Sequence, residues 1–193
     1  MGLAVLVLGL AVFIASHLIV TFRDARAAAI ARLGKPVYHT IFGVLALVGV
    51  ALIAWGYADY RATEWTQLWS PPPFMRHITL GLMLIAAIVL VAWLVPSHIR
   101  AWSKFPLLLA VKIWAFAHLL VNGDLGSMIM FGALLAWAVY ARIAAKHRAD
   151  VVLPAAPASW LNDVFVVVAG VALYLALGFW FHPHVIGVPV FTR

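Results

Sequence analysis

The twenty residues Leu3–Phe22, LAVLVLGLAVFIASHLIVTF, contain no charged side chain. As an α-helix they extend roughly 30 Å, the thickness of a bilayer's hydrocarbon layer. Similar runs follow at Thr40–Tyr57, Ile78–Val95, Phe105–Val121, Met128–Ala145 and Val164–Phe181. Of the chain's 193 residues, 66% are hydrophobic and only 10% charged, and mean hydropathy is +1.07. A soluble domain carries roughly 45–50% apolar and about 25% charged residues, so a chain of this size would have no way to hide its apolar surface from water. The pattern predicts an all-α, polytopic integral membrane helical bundle with about six transmembrane helices. No connection is long enough to divide it, so residues 1–193 read as one domain. The run Phe105–Val121 is the shortest and carries Lys112, which makes it the weakest span.

The connections carry the charge. Arg23–His39 holds Arg23, Arg26, Arg32 and Lys35, and its Ala25–Leu33 part reads as a short helix on the membrane surface. Ala58–His77 holds Trp65, Trp69 and Pro71-Pro72-Pro73; Pro96–Lys104 holds His98, Arg100 and Lys104. Asn122–Ser127 is tight and contains Asp124, and Lys146–Asp163 contains Lys146, His147, Arg148, Pro154 and Pro157. Counting Arg142, the first, third and fifth connections hold nine basic residues, against Arg61, Arg76 and Arg193 on the other side. By the positive-inside rule the odd connections are cytoplasmic and both termini periplasmic. The formal net charge of +7 then meets anionic lipid rather than nucleic acid. The first run lacks a preceding basic region and a cleavage site, so it reads as a retained helix. Gly43, Gly49, Gly56, Gly81, Gly132, Gly170 and Gly178 are candidates for close helix contact.

Several chemistries drop out. The chain has no cysteine, which excludes disulfides, thiolate metal sites and cysteine nucleophiles. It has no phosphate-binding glycine loop, no His-Glu-x-x-His and no Gly-x-Ser-x-Gly, and its single glutamate is Glu64. Polar groups inside lipid are expensive and therefore informative. His17 lies in the first run, and His118 in the fourth with Lys112 before it and Asn122-Gly123-Asp124 after it. Each histidine has two readings. One is a packed imidazole bonded to a neighbouring helix. The other is an axial ligand of haem iron, which facing helices of a bundle commonly supply. Trp114 and Asn122 flank His118 at one-turn spacing, and Ala115 leaves room beside the ring, which suits a flat macrocycle and plain packing alike. His39, His77, His98, His147, His182 and His184 read as interfacial, with His182-Pro183-His184 able to take up a metal ion adventitiously.

The stretch Lys104-Phe105-Pro106, followed by Lys112-Ile113-Trp114-Ala115-Phe116-Ala117-His118-Leu119-Leu120-Val121-Asn122-Gly123-Asp124, resembles the NnrU family of bacterial membrane proteins. That family shares its domain with the zeta-carotene isomerase of plants. Ser16-His17-Leu18, the approach to Leu33-Gly34, and Ala54-Trp55-Gly56-Tyr57 add to the likeness. The resemblance implies a multi-pass protein of the bacterial inner membrane that binds haem b. Its activity would be redox-linked or isomerase-like and tied to nitrite and nitric oxide reduction. The alternative is a non-catalytic assembly factor for a nitrite or nitric oxide reductase. By this likeness His17 and His118 ligate the iron, Trp114 and Asn122 line the cofactor, and Arg23, Arg26, Arg100 or Lys104 neutralise its propionates. The implied partners are the lipid bilayer, a hydrophobic or small redox substrate, and further copies of the chain. One departure stands out, because the family's Arg-His-Pro is Lys104-Phe105-Pro106 here. Depth sets a condition: His17 lies about 8 Å from the inner end of its helix, whereas His118 lies about 18 Å from Pro106 and about 9 Å from Lys112. The two share an iron only if Lys112 marks the interface, with Asn122–Asp124 then lining a polar cavity.

Overall fold

In the computed structural model, which describes residues 1–147, 154–156 and 159–191, each of the six apolar runs becomes a helix. These are α1 (Gly2–Ile19), α3 (Lys35–Thr63), α4 (Met75–Leu94), α6 (Pro106–Val121), α7 (Leu125–Lys146) and α8 (Leu161–Ala176). Five spans are long and apolar enough to cross a membrane, and α6, at 16 residues, is shorter. The expected surface helix is present as α2 (Arg23–Leu33), which buries no residue. A further short helix, α5 (His98–Ser103), occupies what reads in the sequence as a connection. Arg148, Pro157 and Arg193 lie outside the described residues.

Helix ends follow local chemistry. Gly34, at φ +78°, separates α2 from α3, whose first turn accepts Pro36 because its missing N–H would be unpaired there anyway. Pro106 starts α6 in the same way. The Asp124 carboxylate caps α7 by accepting the Ser127 N–H at 2.9 Å. α3 runs to Thr63, past the end of its apolar run, because Asp59 and Arg61 are as compatible with helix outside lipid as inside is forbidding to them. α8 continues as a π-helical segment, Leu177–Ile186, that contains Pro183 and ends at Gly187 in the left-handed region.

Lipid tails give helices no hydrophobic reason to associate, so close backbone approach has to supply the attraction. α1 and α3 achieve it with glycines seven residues apart on each helix. Gly2 lies against the Tyr60 backbone, Gly9 against Ile53, Gly49 against Phe13 and Gly56 against the Leu6 backbone. This fixes an antiparallel seam. Of the glycines expected at contacts, Gly49, Gly56, Gly170 (on Ile88) and Gly178 (on Phe191) are tightly packed, while Gly43, Gly81 and Gly132 face open space. α7 packs beside α1 and α6, α4 beside α6 and α8, and Leu6, Leu10, Ala115, Met130, Phe131 and Leu134 form the core where α1, α6 and α7 meet. Charge divides by face. Arg23, Arg26, Arg32, Lys35, Arg100, Lys104, Arg142 and Lys146 gather at one end of the bundle. Arg61 and Arg76 lie at the other and donate to the carbonyls of Ile186 and Val190.

Candidate metal centre

His17 sits in the last turn of α1, near the basic end of the bundle. Its Nδ1–H donates to the Phe13 carbonyl at 2.8 Å. The ring stacks on Phe13 at 4.1 Å between centroids and has Phe42 and Trp137 at 5.0 and 5.2 Å. Beside it, Ser16, Phe42 and Tyr38 help line an apolar cavity of about 50 Å³. That is far below the roughly 300 Å³ at which ligand pockets begin.

His118 sits in the last turn of α6, towards the opposite end. Its Nδ1–H donates to the Trp114 carbonyl at 2.8 Å, which leaves Nε2 with the lone pair. Phe131 stacks on the ring at 4.6 Å, and Trp114 lies tilted at 5.2 Å. His182, from the π-helical segment, lies 6.2 Å away with its plane only 22° off parallel. Trp114, expected to line a cofactor, is in ring contact with His118. The Asn122 amide instead folds back on the end of α6 and donates to the His118 carbonyl at 2.8 Å.

The structure does not bring His17 to His118. The rings share no aromatic neighbour. Their respective contacts on α7, Trp137 and Phe131, are six residues apart, which is about 9 Å along the helix axis. Two imidazoles on one ion need their nitrogens within roughly 4 Å, two bonds of about 2 Å each. The Asn122–Asp124 turn, expected to line a polar cavity, is packed tightly at Gly123, and Asp124 Oδ2 is buried without a hydrogen-bond partner among the described residues. Gly123 is pressed against the Trp69 carbonyl, and its own carbonyl accepts the N–H groups of Leu68 and Trp69 at 2.8 and 3.1 Å. Leu125 N–H donates to Thr66 at 2.9 Å, and Asp124 is fully buried. The turn therefore clamps the loop before α4 onto the α6–α7 corner.

Arg23 and Arg26 lie on α2, beyond the His17 end of α1. Arg100 and Lys104 line a second cavity of about 250 Å³ at the same face, together with Trp93, Phe105 and Pro154. Lys104 has φ +59°, a strained value for a residue with a side chain, and Phe105 lies under the Arg142 guanidinium at 5.6 Å. Sequence reasoning passed over two pairings. His98 Nδ1 meets the Asp163 carboxylate at 2.6 Å and stacks on Trp160 at 3.9 Å, tying α5 to the start of α8. The other is His182, whose buried Nδ1 has no hydrogen-bond partner among the described residues.

The NnrU protein family pattern matches residues 5–190, nearly the full length, and covers both histidines of the α6 corner as well as the α1–α3 seam. No curated protein and no solved structure matches the chain. With a match of that extent, the chain belongs to the NnrU family.

Proposed function

We propose that this protein is an integral membrane haem b protein of the NnrU type, serving nitrite or nitric oxide reduction, with His118 as an iron ligand. Family membership supports the metabolic setting. The observation that carries the cofactor reading is the His118 ring itself. Its Nδ1–H on the Trp114 carbonyl leaves Nε2 available to a metal, as the same bond does for His17, His147 and His184, and what sets His118 apart is the enclosure of its ring by Trp114 and Phe131. Trp114 and Phe131 supply flat apolar walls. His17 does not fit as the partner on the same iron. When bound, a haem would supply a one-electron couple and iron coordination chemistry. The chain's own part is to hold the imidazole, exclude water and keep the site within the lipid zone. The basic face, carrying most of the arginines and lysines, is assigned to the cytoplasm and the opposite face to the periplasm.

The test is the absorption spectrum of detergent-solubilised protein, oxidised and reduced. A Soret band that His118→Ala abolishes or shifts is expected. A colourless wild-type protein that co-purifies with reductase subunits would instead establish the non-catalytic assembly role.

A further inference from the structure

We infer that the cleft where α4, α5 and α6 meet, at the basic end of the bundle, binds the headgroup of an anionic phospholipid. Arg100, Lys104, Trp93, Phe105, Leu107 and Leu108 help line a cavity of about 250 Å³ there. That is close to the roughly 300 Å³ at which ligand pockets begin, enough for a headgroup and too little for a whole lipid. The walls divide as a phospholipid does. Arg100 and Lys104 supply positive charge, and the other four supply apolar surface. Among the described residues neither cation has an ion pair or a side-chain hydrogen bond, and no carboxylate lines the cavity. A zwitterionic headgroup would bring its own ammonium against these charges, whereas a headgroup of net negative charge would meet them. The depth fits as well. Trp93 lies one residue before the end of the apolar span α4 and is 43% exposed, and Trp102 on α5 is 78% exposed, as side chains of an interfacial aromatic belt are. Basic pockets between membrane helices at this level are where anionic headgroups bind.

The turn that presents Lys104 is an unusual one. Phe105 N–H donates to the Ser103 carbonyl at 2.6 Å, around a Lys104 at φ 59° and ψ −47°. This is the rare, strained form of the γ-turn. A glycine would adopt it freely, yet the position carries a lysine, and strained residues gather where ligands are held. Arg142 pins the turn from α7. Its guanidinium donates to the Ser103 carbonyl at 3.3 Å and lies over the Phe105 ring, which brings a third positive charge beside the cleft. α6 begins at Pro106 with no side-chain cap, so the field of its first turn has the same sign. Pro106 and His118 lie about 18 Å apart along α6. The site is thus separate from the candidate metal centre, and the inference does not depend on what His118 holds.

The experiment titrates the full-length protein, delipidated in detergent, with phosphatidylglycerol, phosphatidylcholine and glycerol 3-phosphate, and follows binding by native mass spectrometry. Phosphatidylglycerol should bind the most tightly of the three. Arg100→Gln and Lys104→Gly should each weaken it about fivefold, as expected for one basic residue facing an anionic headgroup, and the double variant about twenty-five-fold. Arg32→Gln removes the same charge from the exposed surface of α2 and should leave binding unchanged. Lys104→Gly also relieves the turn, so without lipid it should unfold no earlier than the wild type, which separates lost binding from lost fold. If it does unfold earlier, Arg100→Gln decides, since that side chain gives up no partner among the described residues. Equal affinity for phosphatidylcholine, an equal loss in Arg32→Gln, or unchanged binding in the double variant would overturn the inference. So would glycerol 3-phosphate binding as tightly as phosphatidylglycerol, because the cleft would then serve a soluble phosphate.

Discussion

Along the α1–α3 seam, four glycines bring backbone against backbone, and their neighbours leave no room for even a β-carbon. At the corner where α6 meets the π-helical segment, the neighbours are rings set 4.6–6.2 Å apart, and the buried His182 Nδ1 has no hydrogen-bond partner among the described residues. Both regions lie within one six-helix bundle and both join helices that lipid alone would not join. The first spends its sequence on proximity, and nothing about it invites a ligand. The second leaves ring separation and an unmet hydrogen-bonding need, which Tyr38 OH and Arg26 Nε also show at the opposite end of the bundle.

The sharpest way to break this contrast is at Gly56. A side chain there meets the Leu6 backbone, which has no rotamer through which to yield. Gly56→Leu should therefore force α1 from α3 and cost about 3 kcal/mol, the upper end for overpacking. Gly43→Leu, on the same helix but facing open space, should change stability by no more than about 0.5 kcal/mol. Thermal unfolding in detergent followed by circular dichroism compares the two. Equal losses would show that the seam is not held by close approach.

Gly123 tests whether the corner has a tight point of its own. A β-carbon there runs into the Trp69 carbonyl. Gly123→Ala should push the 66–69 loop away and weaken the two bonds to the Gly123 carbonyl, costing about 2 kcal/mol. The loss should appear as a lower melting temperature together with changed tryptophan fluorescence.

How much of this was legible in the sequence differs between the two regions. The six apolar runs gave the helices, because immersion in lipid writes itself directly into composition. The runs understated α3, since helix outside the lipid has no apolar signature at Asp59–Thr63. Gly49 and Gly56 were recognisable as contact glycines, but Gly2 and Gly9 become meaningful only once α3 lies beside α1. The Trp114–Asp124 block stood out, and His118 lies in it with its ring enclosed by Trp114 and Phe131. Its pairing with His17 rested on helix depth, which short-range sequence does not encode: His17 lies in the last turn of α1 and His118 in the last turn of α6, and these helices run in opposite directions. His182 was hidden because its environment is made by a π-helical segment folding back across distant helices. Asn122-Gly123-Asp124 looked chemical and turned out to be a clamp, because the loop at Thr66–Trp69 that it holds is far away in the chain.

The smallest expected effect concerns how α4 is joined to α6. There the Thr79 hydroxyl donates to the Ala117 carbonyl at 3.0 Å, one residue before His118. The carbonyl already serves the α6 backbone, so removing the hydroxyl leaves no orphan acceptor, and Thr79→Val nearly preserves volume. Interhelical hydrogen bonds of this kind average about 0.6 kcal/mol in a membrane protein. The variant should lower stability by about that amount, well below Gly56→Leu. On the proposed haem reading it should nevertheless be felt at His118, because α6 would be freer to shift where that residue is anchored. A measurable change in the haem spectrum with almost no change in melting temperature would set the corner apart from the seam. A large stability loss with an unchanged spectrum would show instead that the corner, like the seam, is chiefly structural.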